Sequence, residues 1–252
     1  MPPEARGSRM HQTRDGRPRP ALIVVPTAAE RQAFVSGCRK HPDGQRLLEA
    51  ATILQTGIGL SGFAGSLNES VIASAAGLVS LGTAGAIAPN IEPGTLLLPA
   101  QVRRLNGVTA QVDAGWHAET YASLQREFSV VTKDILYSEE IVQTRAKQSL
   151  FEQTGAIAVD MESGVVARLA QTADIPFLIV RTVLDPADQG VPPAAIFSVD
   201  RRGRLDAMAL IRQLATRPFQ LTAVIRLAMQ FRRAARTLRS TGRIGAGALL
   251  EL

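Results

Sequence analysis

The chain has 252 residues, 46% of them hydrophobic and 20% charged, with 21 Gly and 14 Pro spread along its length. That is enough apolar mass for one large α/β domain, and it excludes a disordered or collagen-like polymer. A single cysteine, Cys38, offers neither an internal disulfide nor a thiolate cluster for a metal, so the cytoplasm is the expected compartment. The formal charge of +6 is uneven: residues 1–20 carry +3, residues 201–252 carry +9, and the body between carries −6. A nucleic-acid enzyme would place its basic field around the working cleft, so nucleic acid is not the expected partner.

Residues 1–20, rich in Arg, Pro and Gly without periodicity, read as a disordered basic lead-in. The apolar run Ala21–Val25 is shorter than a secretory core and is followed by Pro26, so no signal peptide is expected and the run reads as a strand. Then come a helix over Ala28–Arg39, a strand at Ala51–Gln55, a helix over Gly62–Ala76, and strands at Leu78–Leu81 and Thr95–Pro99. Weaker strands fall near Val108–Val112 and Ile157–Val159. Helices follow between Ile141 and Gln153 and over Asp160–Ala173, and a strand over Phe177–Leu184. The uncharged stretch from Ser70 to Ile91 is long enough to span a membrane, but Ser, Gly and Pro interrupt it and its period changes midway. It reads as a buried helix followed by a central strand. Strands nearly continuous in Val, Ile and Leu belong to a sheet covered on both faces, an α/β sandwich, whose ligands sit beyond the carboxyl ends of the strands.

Five strand ends collect residues capable of chemistry. Gly57-Ile-Gly59-Leu-Ser-Gly62 is a literal G-x-G-x-x-G, but it follows the second strand, and the place of the ribose-binding acid, roughly 20 residues on, holds Leu81-Gly82-Thr83. Nicotinamide binding is not expected; the glycines let a helix start close to the sheet, with a backbone able to approach a ligand. Leu81-Gly82-Thr83-Ala-Gly85-Ala ends a strand in small residues, either as a tight turn or as room for a ligand. In Val159-Asp160-Met161-Glu162-Ser163-Gly164, Asp160 suits an N-cap and Glu162 the first helical turn, so helix electrostatics alone accounts for both. Arg181 lies within a strand apolar enough to be central, so it is buried against a carboxylate or pointed into a site. Asp185 ends that strand before Pro186, where an Asp-Pro also begins turns. Glu30 follows the first strand, in a place ordinarily held by a helix-surface residue. One cleft could gather Glu30, Glu162, Arg181 and Asp185.

In chain order, TGIGLSG, LGTAGAIAP with its Glu92-Pro-Gly-Thr-Leu continuation, AVDMES and VRTVLDPAD resemble the purine nucleoside phosphorylase and methylthioadenosine/S-adenosylhomocysteine nucleosidase superfamily, over about Ala21 to Asp188. The resemblance implies a three-layer α/β/α sandwich around a twisted mixed sheet, a catalytic domain over residues 21–204, and cleavage of an N-glycosidic bond without a cofactor. By position, Asp185 would be the general acid that protonates the purine N7, and Arg181 would orient that part of the site. Glu162 would accept from the ribose 2′- and 3′-hydroxyls, Met161 would pack on the sugar, and Thr83 and Gly85 would line the substrate. A carboxylate at the sugar and an acid at the base suit a transition state of oxocarbenium character. An Asp acting as an acid near neutral pH needs a raised pKa, which burial supplies. The phosphorylases commonly carry Arg three residues before the Ser or Thr of the Gly-rich segment, where this chain has Ser80. The nucleosidases' water-activating Glu has its counterpart in Glu30, so water is the expected nucleophile. Val142 stands where the nucleosidases usually stack an aromatic residue on adenine. His11, His41 and His117 have no metal-ligand spacing.

Residues 205–252 read as a basic amphipathic helical extension. Leu221, Val224, Ile225, Leu227, Ala228, Phe231, Ala235 and Leu238 follow three- and four-residue steps, with Arg226, Arg232, Arg233, Arg236 and Arg239 between them. Packing on the domain or on a partner subunit, and lying on an anionic membrane surface, both fit the pattern; nucleic acid lacks an aromatic stacking platform. The extension, TGAIAVDMES and the short spacing from VTKDIL to VDMES are similar to the hopanoid-associated phosphorylase branch. That branch implies release of adenine from adenosylhopane, leaving ribosylhopane, in hopanoid biosynthesis. The expected partner is a small or lipid-linked adenine nucleoside, and the expected state a homo-oligomer, cytoplasmic or peripheral at the inner membrane. Other readings are a soluble methylthioadenosine/S-adenosylhomocysteine nucleosidase, a phosphate-dependent purine nucleoside phosphorylase, and a membrane-bound nucleoside sensor without catalysis. The joint presence of Glu30, Glu162 and Asp185 argues against the sensor.

Overall fold

The computed structural model describes residues 19–60, 69–200 and 202–250; most of the lead-in, and the start of the helix expected from Gly62, lie outside them. The strands are β1 (Ala21–Val25), β2 (Thr52–Gln55), β3 (Gly77–Ala86), β4 (Leu96–Leu97), β5 (Gln101–Arg104), β6 (Thr109–Gln111), β7 (Val130–Val131), β8 (Ile135–Tyr137), β9 (Ala158–Asp160) and β10 (Phe177–Val183). They form one mixed sheet in the order β6-β5-β8-β9-β3-β10-β4-β7, with β1 and then β2 added beside β3. Its helices are α1 (Ala28–Cys38), α2 (Pro42–Ala50), α3 (Glu69–Ala73), α4 (Ala114–Leu124), α5 (Thr144–Thr154), α6 (Ser163–Ala173), α7 (Pro193–Ile196), α8 (Ala207–Thr216) and α9 (Leu221–Ile244). The architecture is the three-layer α/β sandwich expected. β1 and β10 are buried at every position, as strands covered on both faces must be, and their unbroken apolar runs supply the core.

β3 is the hub. It lies parallel to β1 through Gly77–Ser80 and to β10 through Leu78–Ala84, and antiparallel to β9 at Gly85 and Ala86. The strand expected over Leu78–Leu81 therefore continues five residues further, because LGTAGA has no side chain large enough to push it off β10. The strand expected over Thr95–Pro99 shrinks to Leu96–Leu97, ended by Pro99, which cannot donate to a ladder. Asp160 closes β9, and the helix expected to begin with it starts at Ser163 instead.

The region beyond residue 205 is in two parts. The second half of α9 packs into the core of the body: Ala234 and Leu238 are fully buried, as are Ala246 and Leu249 just beyond it. A Cβ added at Gly37 of α1 would lie 1.8 Å from the Arg239 carbonyl oxygen, and one at Gly242 would lie 2.4 Å from that of Phe34. The two helices thus meet backbone to backbone, and glycine is the residue that allows it. By contrast α8, the turn Pro218–Gln220 and the first half of α9 expose Met208, Ile211, Phe219, Leu221, Ile225 and Met229, Phe219 to 79%. No helix among the described residues is long and apolar enough to cross a membrane.

Candidate active site

Beyond Ser80 the edge of β3 is left by β1 and is not taken up again until β9 joins at Gly85. Glu30 fills that opening. It lies on α1 yet is 2% exposed, because the strand edge offers unpaired donors. Its Oε1 accepts from the Thr83 N–H and Oγ1–H, both at 2.7 Å, and its Oε2 from the Thr27 N–H at 2.9 Å and hydroxyl at 2.6 Å. Thr27 and Glu30 also form the capping box that starts α1. The carboxylate accepts four bonds, about its full capacity, but two come from hydroxyls that can rotate away for another donor. Arg31 beside it is exposed.

Arg181 is wholly buried in β10. Its Nε donates to Asp160 Oδ2 at 2.6 Å, its Nη2 donates to Ser80 Oγ at 2.7 Å and Ser163 Oγ at 3.1 Å, and Nη2 lies 3.5 Å from Glu162 Oε2. Of the two expectations for it, the structure shows burial against carboxylates, with Ser80 and Ser163 as further partners. Among the described residues its Nη1 has no hydrogen-bond partner. A Cβ at Gly82 would stand 2.6 Å from that Nη1 and 3.1 Å from Glu30 Oε1, so the bare glycine sits in a slot between cation and carboxylate. The sequence places no arginine at Ser80, but the neighbouring strand brings one to it. Asp160 is the partner of that arginine as well as an acceptor for the Ser163 N–H at 3.2 Å, a larger role than an N-cap.

Glu162 is buried, and its Oε1 accepts from the Gly59 N–H at 2.9 Å. Burial pushes its carboxyl up to about 7; Arg181 and the Gly59 N–H work against that shift, while Asp160 and Glu30 add to it. It occupies the N-cap position of α6 without a side-chain capping bond. Gly59 has φ 60°, and a Cβ there would meet Met161 Cε at 3.3 Å. The glycine-rich turn therefore approaches Met161 and Glu162 through its backbone.

Asp185 is 4% exposed, and its carbonyl oxygen accepts from the Ala86 N–H at 2.8 Å. Its Oδ1 lies 3.2 Å from where a Cβ on Gly85 would stand, so the second bare glycine of β3 faces the acid as the first faces Glu30. Burial raises the Asp185 pKa and Lys147 opposes the rise. No sequence signal points to Lys147, an ordinary residue of an amphipathic helix; in the fold it is 1% exposed, and its Nζ reaches Asp185 Oδ2 at 2.5 Å. Val142 packs half-buried on Ile87, Leu136, Ala156 and Val159, in an apolar cluster that Phe151 shares. Among the described residues no group of three or more His, Cys, Asp or Glu could hold a metal ion. A cavity of about 560 Å³ lined in part by His41, Asp43, Glu119 and Arg243 contains none of these site residues.

A family model described as the phosphorylase superfamily matches residues 47–216. No curated protein matches the chain. Among solved structures, the 5′-methylthioadenosine/S-adenosylhomocysteine nucleosidase of Neisseria meningitidis, in complex with methylthio-immucillin-A, superposes with a TM-score of 0.61 at 12% identity, covering 93% of this chain and 100% of that one. The futalosine hydrolase of Helicobacter pylori gives 0.59 at 13% identity, covering 92% and 97%. The methylthioadenosine/S-adenosylhomocysteine nucleosidase of Campylobacter jejuni gives 0.55 at 17% identity, covering 77% and 95%.

Proposed function

The chain belongs to the phosphorylase superfamily and is an enzyme acting on nucleosides, and from that premise we propose that it hydrolyses the N-glycosidic bond of an adenine nucleoside. The observation that carries the reading is the placement of Glu30 with the free Arg181 Nη1 around Gly82, and of Asp185 at Gly85, three residues along the same strand. Asp185 protonates N7, so the base leaves neutral. Glu162 holds the ribose hydroxyls and Met161 lies on the sugar. As Glu30 releases one of its rotatable hydroxyl donors, it accepts a proton from water, which Arg181 Nη1 also orients. The C1′–N9 electron pair passes to the base, and the water oxygen bonds C1′.

Water is favoured over phosphate by charge. Although Arg181 stands beside Ser80, it is already paired with Asp160, and Glu30 faces it across Gly82. A phosphate dianion would enter beside the Asp160 and Glu30 carboxylates, which one guanidinium serves, whereas neutral water meets no such repulsion.

The finer reading is that the nucleoside is lipid-linked, adenosylhopane, and that the protein works at an anionic membrane surface. It is supported by the exposed apolar row of α8 and α9 and by residues 207–250, which hold arginines and no acidic residue. Adenine release is measured from adenosylhopane and from methylthioadenosine, each with and without phosphate. Phosphate-independent release is expected, with the hopanoid preferred; release only with phosphate overturns the role of Glu30. Deleting α9 would remove core residues, so the surface is tested by Phe219→Glu with Ile225→Glu. This pair should reduce binding to anionic vesicles at unchanged thermal stability; undiminished binding overturns the membrane reading.

A further inference from the structure

Lys147 lies in the first turn of α5, where an ammonium opposes the helix dipole, and it is buried, which is costly for any charge. Its surroundings offset both. Nζ donates to Asp185 Oδ2 at 2.5 Å, to the Pro186 carbonyl at 2.9 Å and to the Gln189 carbonyl at 2.6 Å. An ammonium has three N–H groups and these three acceptors use them all, so Lys147 has no donor left for a substrate. Pro186 and Gln189 belong to the loop that leaves Asp185, and a Cβ on Gly190 in that loop would stand 2.9 Å from Thr144 Oγ1. One ammonium thus fixes both the carboxylate and the chain that carries it against the start of α5. Both Asp185 oxygens also face bare Gly85, Oδ1 at 3.2 Å and Oδ2 at 3.3 Å from where its Cβ would stand, and Lys147 is the charge that bears on the carboxyl among the described residues.

Resting on the reading of Asp185 as the acid, we infer that Lys147 is its positioning residue: it holds Oδ2, leaves Oδ1 to the base, and stabilises the carboxylate that remains once the proton has gone. The proton passes from Asp185 to the base nitrogen while the glycosidic electron pair moves into the base, and Lys147 keeps its three protons throughout. Without the ammonium, a carboxyl this deeply buried would hold its proton too tightly to give it up quickly.

The test uses the full chain with Lys147→Met and Lys147→Gln. Asp185 can stay protonated and neutral in either, so no unpaired charge is left behind, and the glutamine amide can still donate to the loop carbonyls. Two readouts are taken: the 13C NMR titration of the Asp185 carboxyl, and the pH profile of kcat/KM for adenine release. In both variants the Asp185 midpoint should rise by about 1–3 units, the reverse of what a cation at contact does to an Asp. The alkaline limb should rise with it while plateau kcat falls about tenfold or more. If turnover falls but titration and limb stay where they are in the wild type, Lys147 is only a loop clamp and the inference fails. If the wild-type chain releases no adenine while the midpoint still moves, the reading of the reaction fails and the hold of Lys147 on Asp185 stands. Should Lys147→Met not fold, Lys147→Gln carries the same test.

Discussion

Gly82→Ala puts a methyl group into the slot that Arg181 and Glu30 share. Its Cβ would stand 2.6 Å from Arg181 Nη1, 3.0 Å from Pro26 Cδ and 3.1 Å from Glu30 Oε1. A free side-chain end could swing aside at little cost. This guanidinium cannot, because its Nε and Nη2 are held by Asp160, Ser80 and Ser163, and the Pro26 ring is stiff. Overpacking of this kind costs roughly 1–3 kcal/mol, and the rigid walls place this site near 3. For a chain of this size each kcal/mol lowers Tm by about 2–4 °C, so a fall of about 6–12 °C is expected. Moving either group by about 1 Å would cost roughly a hundredfold in turnover. Gly85→Ala is the matched comparison: its Cβ would lie 3.2–3.5 Å from the Asp185 carboxylate, a distance relieved by shifts of a few tenths of an ångström, so stability should fall by less than about 1 kcal/mol. Thermal unfolding and adenine release, measured on both variants, decide the matter. A Gly82→Ala enzyme with wild-type Tm and turnover would refute the slot.

Two further outcomes follow from burial. Glu162 is pushed up to about 7 in the folded protein from an ordinary value of 4.5. The native state therefore holds this proton over a range where the unfolded chain has lost it, and stability from this group declines as pH rises from about 4.5 to about 7. Glu162→Gln should flatten that part of the Tm–pH curve; a curve of unchanged slope would place the titration elsewhere. At the crossing of α1 and α9, Gly37→Ala brings a Cβ to 1.8 Å from the Arg239 carbonyl oxygen. Neither backbone can yield without parting the helices, so thermal unfolding should show a loss of about 3 kcal/mol or more, at the upper end of overpacking, and an unchanged Tm would mean that the two helices do not meet there.

The apolar runs made the central strands legible: Ala21–Val25 is the same in sequence and structure, and Phe177–Leu184 differs from β10 by one residue. Short strands such as Val130–Val131 and helices such as Pro42–Ala50 are not legible, because two residues carry no period and the nine residues of α2 include only Leu47, Leu48 and Ala50 as apolar positions after the helix-starting Pro42. At the candidate site, the strand-end rule and the resemblance singled out Glu30, Glu162, Arg181 and Asp185, all of which the fold buries. The rest is long-range geometry. Asp160 looked like a cap because its nearest donors are local, while the arginine it serves lies 21 residues on. Lys147 is 38 residues before the carboxylate it holds, on a helix whose pattern says nothing of what its buried face will meet.

The two ends of the candidate site are charged differently, and the difference suits the proposed cleavage. At Asp185 one carboxyl meets one ammonium, so giving its proton to the base leaves a balanced carboxylate–ammonium pair and no bare charge in the interior. Around Arg181 the guanidinium faces Asp160 directly and Glu30 across Gly82, with the Glu162 carboxyl beside them, so the end proposed to hold the sugar has an excess of carboxylate over cation. A protein does not gather buried carboxylates for stability, since each is costly to desolvate and they repel one another. The excess becomes favourable when positive charge develops between them, as it does on a ribosyl ring losing its base. The same surplus that would turn a phosphate away would therefore hold an oxocarbenium-like sugar in place for water.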